Sequence, residues 1–147
     1  MQFLPNKLYL AMSAALFIAY NGDEDAPVAG SAIVEYCNLN KRALEPVLQK
    51  LSSAEMVVSI KGAKGGYYMP NPEYTTLRDV AEAFVTHVSP DKHNIAGYGD
   101  ILDEKLERCY DGWLDNLSDI TFKRLCTKAR NSGEILSIQT PVLNYSI

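Results

Sequence analysis

The chain has 147 residues, 47% of them hydrophobic and 22% charged, with a formal net charge of −4. That is enough to bury a core in one domain, with or without an appended dimerisation element, and it excludes a chain that is disordered or that needs disulfides to fold. The charge is uneven: residues 1–70 carry six Lys/Arg and six Asp/Glu, and residues 71–147 carry eight and twelve. The acidity therefore belongs to the C-terminal half and does not exclude a nucleic-acid partner for the N-terminal half.

The first element is an apolar run over 8–20 that follows Pro5, a residue suited to a first helical turn. At that length it cannot span a bilayer, and an acidic loop over 21–25 follows it where a signal peptide would have a small-residue cleavage site. It reads as a buried helix. A short helix is expected over 31–36, with Ile33 and Val34 inward. Asn40 is then a candidate N-cap for a helix reaching about 55, with Leu44, Val47, Leu48 and Leu51 on one face.

The pattern changes at Met56. Residues 57–60 are short and β-branched, 61–66 form a glycine-rich turn with Lys61 and Lys64, and 67–69 return as a second strand stopped by Pro70 and Pro72. Thr76 is expected to cap a helix from Leu77 to about His87. A loop over 89–99 precedes a long helix over 100–117, in which Leu102, Leu106, Cys109 or Tyr110, Trp113 and Leu117 form one stripe. A last helix over 121–130 and a weakly patterned tail from 134 complete the chain.

Helix, helix, turn, helix and a hairpin with a basic tip is the order of a winged helix-turn-helix. In that arrangement the start of the third helix, Asn40, Lys41 and Arg42, meets base edges and phosphates in a major groove. The hairpin tip approaches the neighbouring backbone, because its glycines admit close contact and its lysines neutralise phosphate. The glycine-rich turn lacks the Gly-Lys-Ser/Thr of a nucleotide loop. No Ser/His/Asp or Cys/His arrangement supports catalysis, and His87 and His93 have no second ligand at metal-binding spacing.

The run Leu39-Asn40-Lys41-Arg42-Ala43-Leu44-Glu45, the wing Lys61-Gly62-Ala63-Lys64-Gly65-Gly66-Tyr67 and the helix Thr76-Leu77-Arg78-Asp79-Val80-Ala81 together resemble the IscR/NsrR/CymR-type (Rrf-two) winged-helix regulators. The likeness extends to about Leu125. It implies a mainly α fold with a small β wing. Residues 1–88 would form the DNA-binding domain, 89–133 the dimerisation helices and 134–147 a tail. The implied function is a cytoplasmic transcription regulator, most simply a repressor, that binds double-stranded DNA as a homodimer on a pseudo-palindromic operator.

The resemblance places Lys7, Asn40, Lys41, Arg42, Lys61, Lys64 and Gly65 at DNA-facing positions, and Leu102, Leu106, Tyr110, Trp113 and Leu117 in the dimer seam. Many members of that family hold an iron–sulfur cluster on three cysteines in the loop before the long helix. The loop over 89–99 has none here, and the chain's cysteines, Cys37, Cys109 and Cys126, stand at unrelated spacings, so no cofactor or metal is expected. Their odd number and the lack of a Cys-x-x-Cys pair suit buried free thiols in a reducing compartment, with a thiol sensor beside Arg108 as the alternative for Cys109.

Tyr98, Tyr110 and Trp113 suit aromatic packing in the seam, with a pocket for a small-molecule or protein effector as the alternative. Two departures point to a rival function, a winged-helix protein-interaction module. Tyr9 stands where the family usually has an arginine. Pro46 falls inside the expected recognition helix, where it costs about 3 kcal/mol and predicts a kink or a rearranged first turn.

Overall fold

A computed structural model describes residues 3–38, 40–85 and 96–133. The helix expected to reach about His87 stops at Phe84, with Val85 already extended, and most of the loop expected over 89–99, both histidines and the tail from 134 lie outside the described residues. Six helices and one two-stranded sheet are described, as the mainly α reading with a β wing expects.

The first helix, α1 (Asn6–Asn21), supplies the surface on which the others assemble. Ala11, Ala14, Ala15 and Ile18 are fully buried on it. Three alanines within five residues remove the side-chain bulk that normally separates helix axes, so neighbours can pack close. Three helices use that surface: α3 (Lys41–Ser53), α4 (Leu77–Phe84) and α6 (Phe122–Ser132). The helix ends when the Gly22 N–H donates to the Ile18 carbonyl at 2.9 Å and the buried Asn21 amide donates to the Phe17 carbonyl at 3.0 Å.

The short α2 (Gly30–Tyr36) buries Ile33, and α3 buries Leu44, Val47, Leu48 and Leu51 on its inner face. Pro46 neither breaks α3 nor rearranges its first turn. It is an exposed residue within a continuous helix, where position 46 has no N–H to offer the Arg42 carbonyl.

The wing pairs β1 (Val58–Ile60) antiparallel with β2 (Gly66–Tyr68), Ser59 opposite Tyr67. Val28 adds a one-residue bridge to its other edge, exchanging two 2.8 Å hydrogen bonds with Tyr67. That bridge explains Gly66, because a Cβ there would stand 2.3 Å from the Val28 carbonyl oxygen.

Thr76 caps α4 reciprocally with Asp79: the Asp79 N–H donates to the Thr76 hydroxyl at 3.3 Å and the Thr76 N–H to the Asp79 carboxylate at 2.8 Å. The long helix α5 (Tyr98–Ser118) begins at Gly97, whose φ of 83° favours glycine. The bend into α6 is tied to the entry of α4, with the Leu77 N–H on the Ile120 carbonyl and the Phe122 N–H on the Thr75 carbonyl, both at 3.0 Å. Leu114, Leu117 and Phe122 join the same core as α1, α3 and α4. The end of α5 and the start of α6 therefore share the core of the winged-helix unit.

Two glycines separate packing from propensity. Gly66→Ala loses stability, since its methyl group would meet backbone. Gly112→Ala, mid-helix with nothing within 4 Å of an added Cβ, gains about 0.5–1 kcal/mol. Urea unfolding of both variants checks the opposite signs.

Candidate nucleic-acid interface

The site begins at the first turn of α3. Asn40 has extended backbone angles (φ −78°, ψ 131°), and its Oδ1 accepts from the Arg42 N–H at 2.9 Å. The cap fixes where the helix starts, and Lys41 and Arg42 are exposed at that start. Beneath them the apolar face holds the helix to the core, so the cations sit on a rigid base.

The second part is the wing tip. Lys61, Gly62, Ala63 and Lys64 are all exposed. Gly62 has φ 115°, and the Gly65 N–H closes the turn onto the Gly62 carbonyl at 3.0 Å. A Cβ on Gly65 would lie 2.2 Å from the Ile60 carbonyl oxygen, so this turn admits no side chain there. The glycine is required by the turn itself, whatever it contacts outside the protein.

Between α3 and the wing lies a cleft of about 490 Å³. Lys41, Leu44, Glu45 and Leu48 form one wall, Ser59, Ile60, Gly65, Gly66 and Tyr67 the other, and residues of α2 close the end. Of the residues expected at the interface, Lys41 and Gly65 thus face a common space. Lys61 and Lys64 stand exposed at its rim hairpin, and Lys7 is exposed in the first turn of α1 without lining the cleft. Sequence reasoning missed Glu45. It lies one helical turn beyond Lys41, and that spacing was the available signal.

The ion pairs among the described residues are Arg78 with Glu82 and Asp115, and Arg108 with Glu104. None of the cations of α3 or the wing is among them. Lys50 lies over the Phe84 ring, and the exposed Lys41, Arg42, Lys61 and Lys64 keep their charge for an external anion.

The stripe on α5 divides in two. Leu102 and Leu106 are 59% and 61% exposed, alongside exposed Tyr98 and Ile101, whereas Leu117 is buried in the protomer's own core. Tyr110 and Trp113 lie between, half-buried with ring centroids 5.9 Å apart. Burial pushes the Tyr110 phenol up, helped by the carboxylates of Glu82 and Asp111.

The cysteines also differ from one another. Cys126 is buried and Cys37 partly so, and burial raises both thiols, leaving them protonated at neutral pH. Cys109 is exposed, contrary to a core position, because α5 projects beyond the core over its first three turns.

A capped helix start bearing unpaired cations, beside a glycine-tipped basic hairpin, defines a winged helix-turn-helix DNA-binding protein. The pattern of the Rrf2 family, described as an iron-dependent transcriptional regulator, matches residues 4–128. The chain belongs to the Rrf2 family of transcriptional regulators. Similar solved structures include IscR of T. potens, with TM-score 0.70 and 19% identity over 92% of this chain and 94% of that one. CymR of B. subtilis, the global cysteine regulator, gives 0.65 and 22% over 87% and 98%. The oxidized form of Staphylococcus aureus CymR gives 0.64 and 23% over 86% and 96%. No curated protein matches the chain.

Iron in the family description calls for converging ligands. Cys37 follows α2, Cys109 is on the outside of α5 and Cys126 is inside α6. Among the described residues no group of three or more His, Cys, Asp or Glu side chains could hold a metal ion. These residues do not fit such a group. Among the described residues, likewise, no helix is long and apolar enough to cross a membrane.

The cap can be separated from the contact. Asn40→Ala lowers stability by about 1 kcal/mol and Asn40→Asp restores it, as thermal unfolding reads directly.

Proposed function

We propose that the protein is a sequence-specific transcription regulator, a repressor, that acts in the cytoplasm as a homodimer on a pseudo-palindromic operator. The observation that carries this reading is the placement of Lys41 and Arg42 on a capped helix start across a cleft from the Lys61–Lys64 tip, with none of these cations used in an internal ion pair. Each protomer inserts the start of α3 in a major groove and sets its wing against the adjacent backbone. Asn40 contributes through its Nδ2, since Oδ1 serves the cap. Gly65 contributes by letting the main chain come close, and Lys7 adds a phosphate contact.

Dimerisation is supported by the exposed apolar half of α5. Tyr98, Ile101, Leu102 and Leu106 are each roughly 60% exposed on one projecting helix, an apolar area that a second copy would cover. Tyr110 and Trp113 continue that seam to the protomer core, and Leu117 anchors the helix from below. Residues 1–88 then act as the DNA-binding part, and within 89–133 the projecting half of α5 acts in dimerisation, since its end and α6 pack into the core of the winged-helix unit. A small-molecule or protein effector, if the protein takes one, acts through the C-terminal half.

The dimer would present two α3 helices about one helical turn apart, on the order of 34 Å. Selection of genomic fragments by the purified protein is expected to enrich a two-fold-symmetric site, and Lys41→Ala with Arg42→Ala abolishes the enrichment. A protein that enriches no DNA, with or without cell extract, would instead be an interaction module built on the same fold.

The regulator works without an iron–sulfur cluster, because its thiols do not converge. Anaerobically purified protein is therefore expected to lack visible absorption bands that bleach on reduction. Such bands would overturn the cluster-free reading.

A further inference from the structure

The most cationic element of the chain lies outside the winged helix. Within Phe122–Ser132 stand Lys123, Arg124, Lys128 and Arg130, with no acidic residue among them. The preceding α5 carries six acids in its 21 residues, so the contrast is not a property of the C-terminal half at large. Phe122, Cys126 and Ala129 take the inner face of α6, which leaves Lys123, Arg124 and Lys128 exposed on the outer one. With Thr127 and Asn131 they line a shallow hollow of about 460 Å³. Every side chain in it is of a type that donates to phosphate.

These cations are not consumed inside the protomer. The ion pairs of the described residues belong to Arg78 and Arg108, and none reaches α6. Arg124 is held by a 2.8 Å hydrogen bond from Nη1 to the Asp119 carbonyl, which fixes its position while keeping its charge. With Arg130 lying over the Tyr20 ring, Lys123, Arg124 and Lys128 are the cations of α6 left exposed without a carboxylate partner among the described residues.

Position indicates which anion. The Lys123 N–H donates to the Pro72 carbonyl at 2.9 Å, four residues beyond the end of β2. At the other end of α6 the Arg130 guanidinium lies 5.7 Å from the Tyr20 ring centroid. Tyr20 immediately precedes the Asn21–Gly22 corner, and a Cβ on Gly22 would stand 2.9 Å from the Tyr67 carbonyl oxygen of β2. One end of α6 is thus tied to the segment that follows the wing, and the other lies near the α1 corner that touches β2.

We propose that the outer face of α6, through Lys123, Arg124 and Lys128, is a second duplex-binding surface that holds backbone phosphates of DNA flanking the site read by α3. The inference rests on the DNA-binding reading above and extends its footprint outward past the wing. Such contacts add affinity and salt dependence without sequence preference, since phosphates carry no base information.

The test uses the full chain and two duplexes: the selected fragment trimmed to its symmetric site, and the same fragment extended by about ten base pairs on each side, one helical turn. Lys123→Ala with Lys128→Ala is expected to weaken binding to the long duplex roughly tenfold and to reduce the salt slope by about 1 for each lysine. Binding to the trimmed duplex and the order of preference among sites stay unchanged, and Lys123→Arg with Lys128→Arg retains wild-type affinity. Both lysines are exposed, so an unchanged thermal unfolding profile certifies the fold. Equal affinities and slopes of wild type and variant on the long duplex would overturn the proposal and leave an acidic polypeptide as the partner for this face. A wild type that binds neither duplex overturns the DNA reading itself, and this inference with it.

Discussion

Ala11, Ala14 and Ala15 set the geometry on which everything else in the protein depends. Helix axes approach as closely as the intervening side chains allow, and three methyl-sized residues in a row of turns bring α3, α4 and α6 onto one central helix. The helix that presents Lys41 and Arg42 therefore rests on the same support as the helix that presents Lys123 and Lys128. A larger side chain at any of these alanines would push out whichever helix it faced, since a close-packed interior transmits a volume change as displacement.

The wing needs a second constraint. A hairpin of three-residue strands is marginal by itself. Here Val28 pairs with the outer edge of Tyr67 and the flanking Met56, Val57 and Met69 are buried, so the sheet is held to the body from both sides. Gly66 admits that bridge and Gly65 admits the tight turn. The Lys61–Lys64 tip thereby keeps a fixed offset from the start of α3, with the cleft between them as its visible consequence. Rigid spacing between two cationic elements is what matching a duplex requires, because a misplaced helix loses base contacts before it loses phosphate contacts.

Net charge is a poor guide to this molecule. Charges of one sign are sorted by element: α5 is acidic, α3 and the wing tip present exposed cations, and α6 is basic without exception. At physiological salt the Debye length is about 8 Å, so a phosphate at α6 or at the wing feels the adjacent lysines far more than the carboxylates of α5. The acidic, apolar-striped α5 and the basic faces can serve different partners on one small chain.

Local chemistry is legible in the order of residues. The caps at Asn40 and Thr76 follow from side-chain oxygens placed ahead of helical periodicity, and the wing follows from β-branched residues around a glycine turn. The helices begin and end within a few residues of the expected positions wherever both ends are described. Pro46 is the exception, because propensity scales describe an isolated helix. This one is clamped along Leu44, Val47, Leu48 and Leu51 and tolerates one missing N–H on its exposed side.

The elements, their caps, the exposed cations at the start of α3 and at the wing tip, and the family can all be read from the residues in order, since these depend on neighbours a few positions apart. Four facts come only from the folded chain: the α5 stripe is half exposed and half core, Cys109 is exposed, Val28 completes the wing, and α6 packs on α1. Each concerns which surface meets which at long separation along the chain. Periodicity says that a helix has an apolar face, and only packing says what covers it.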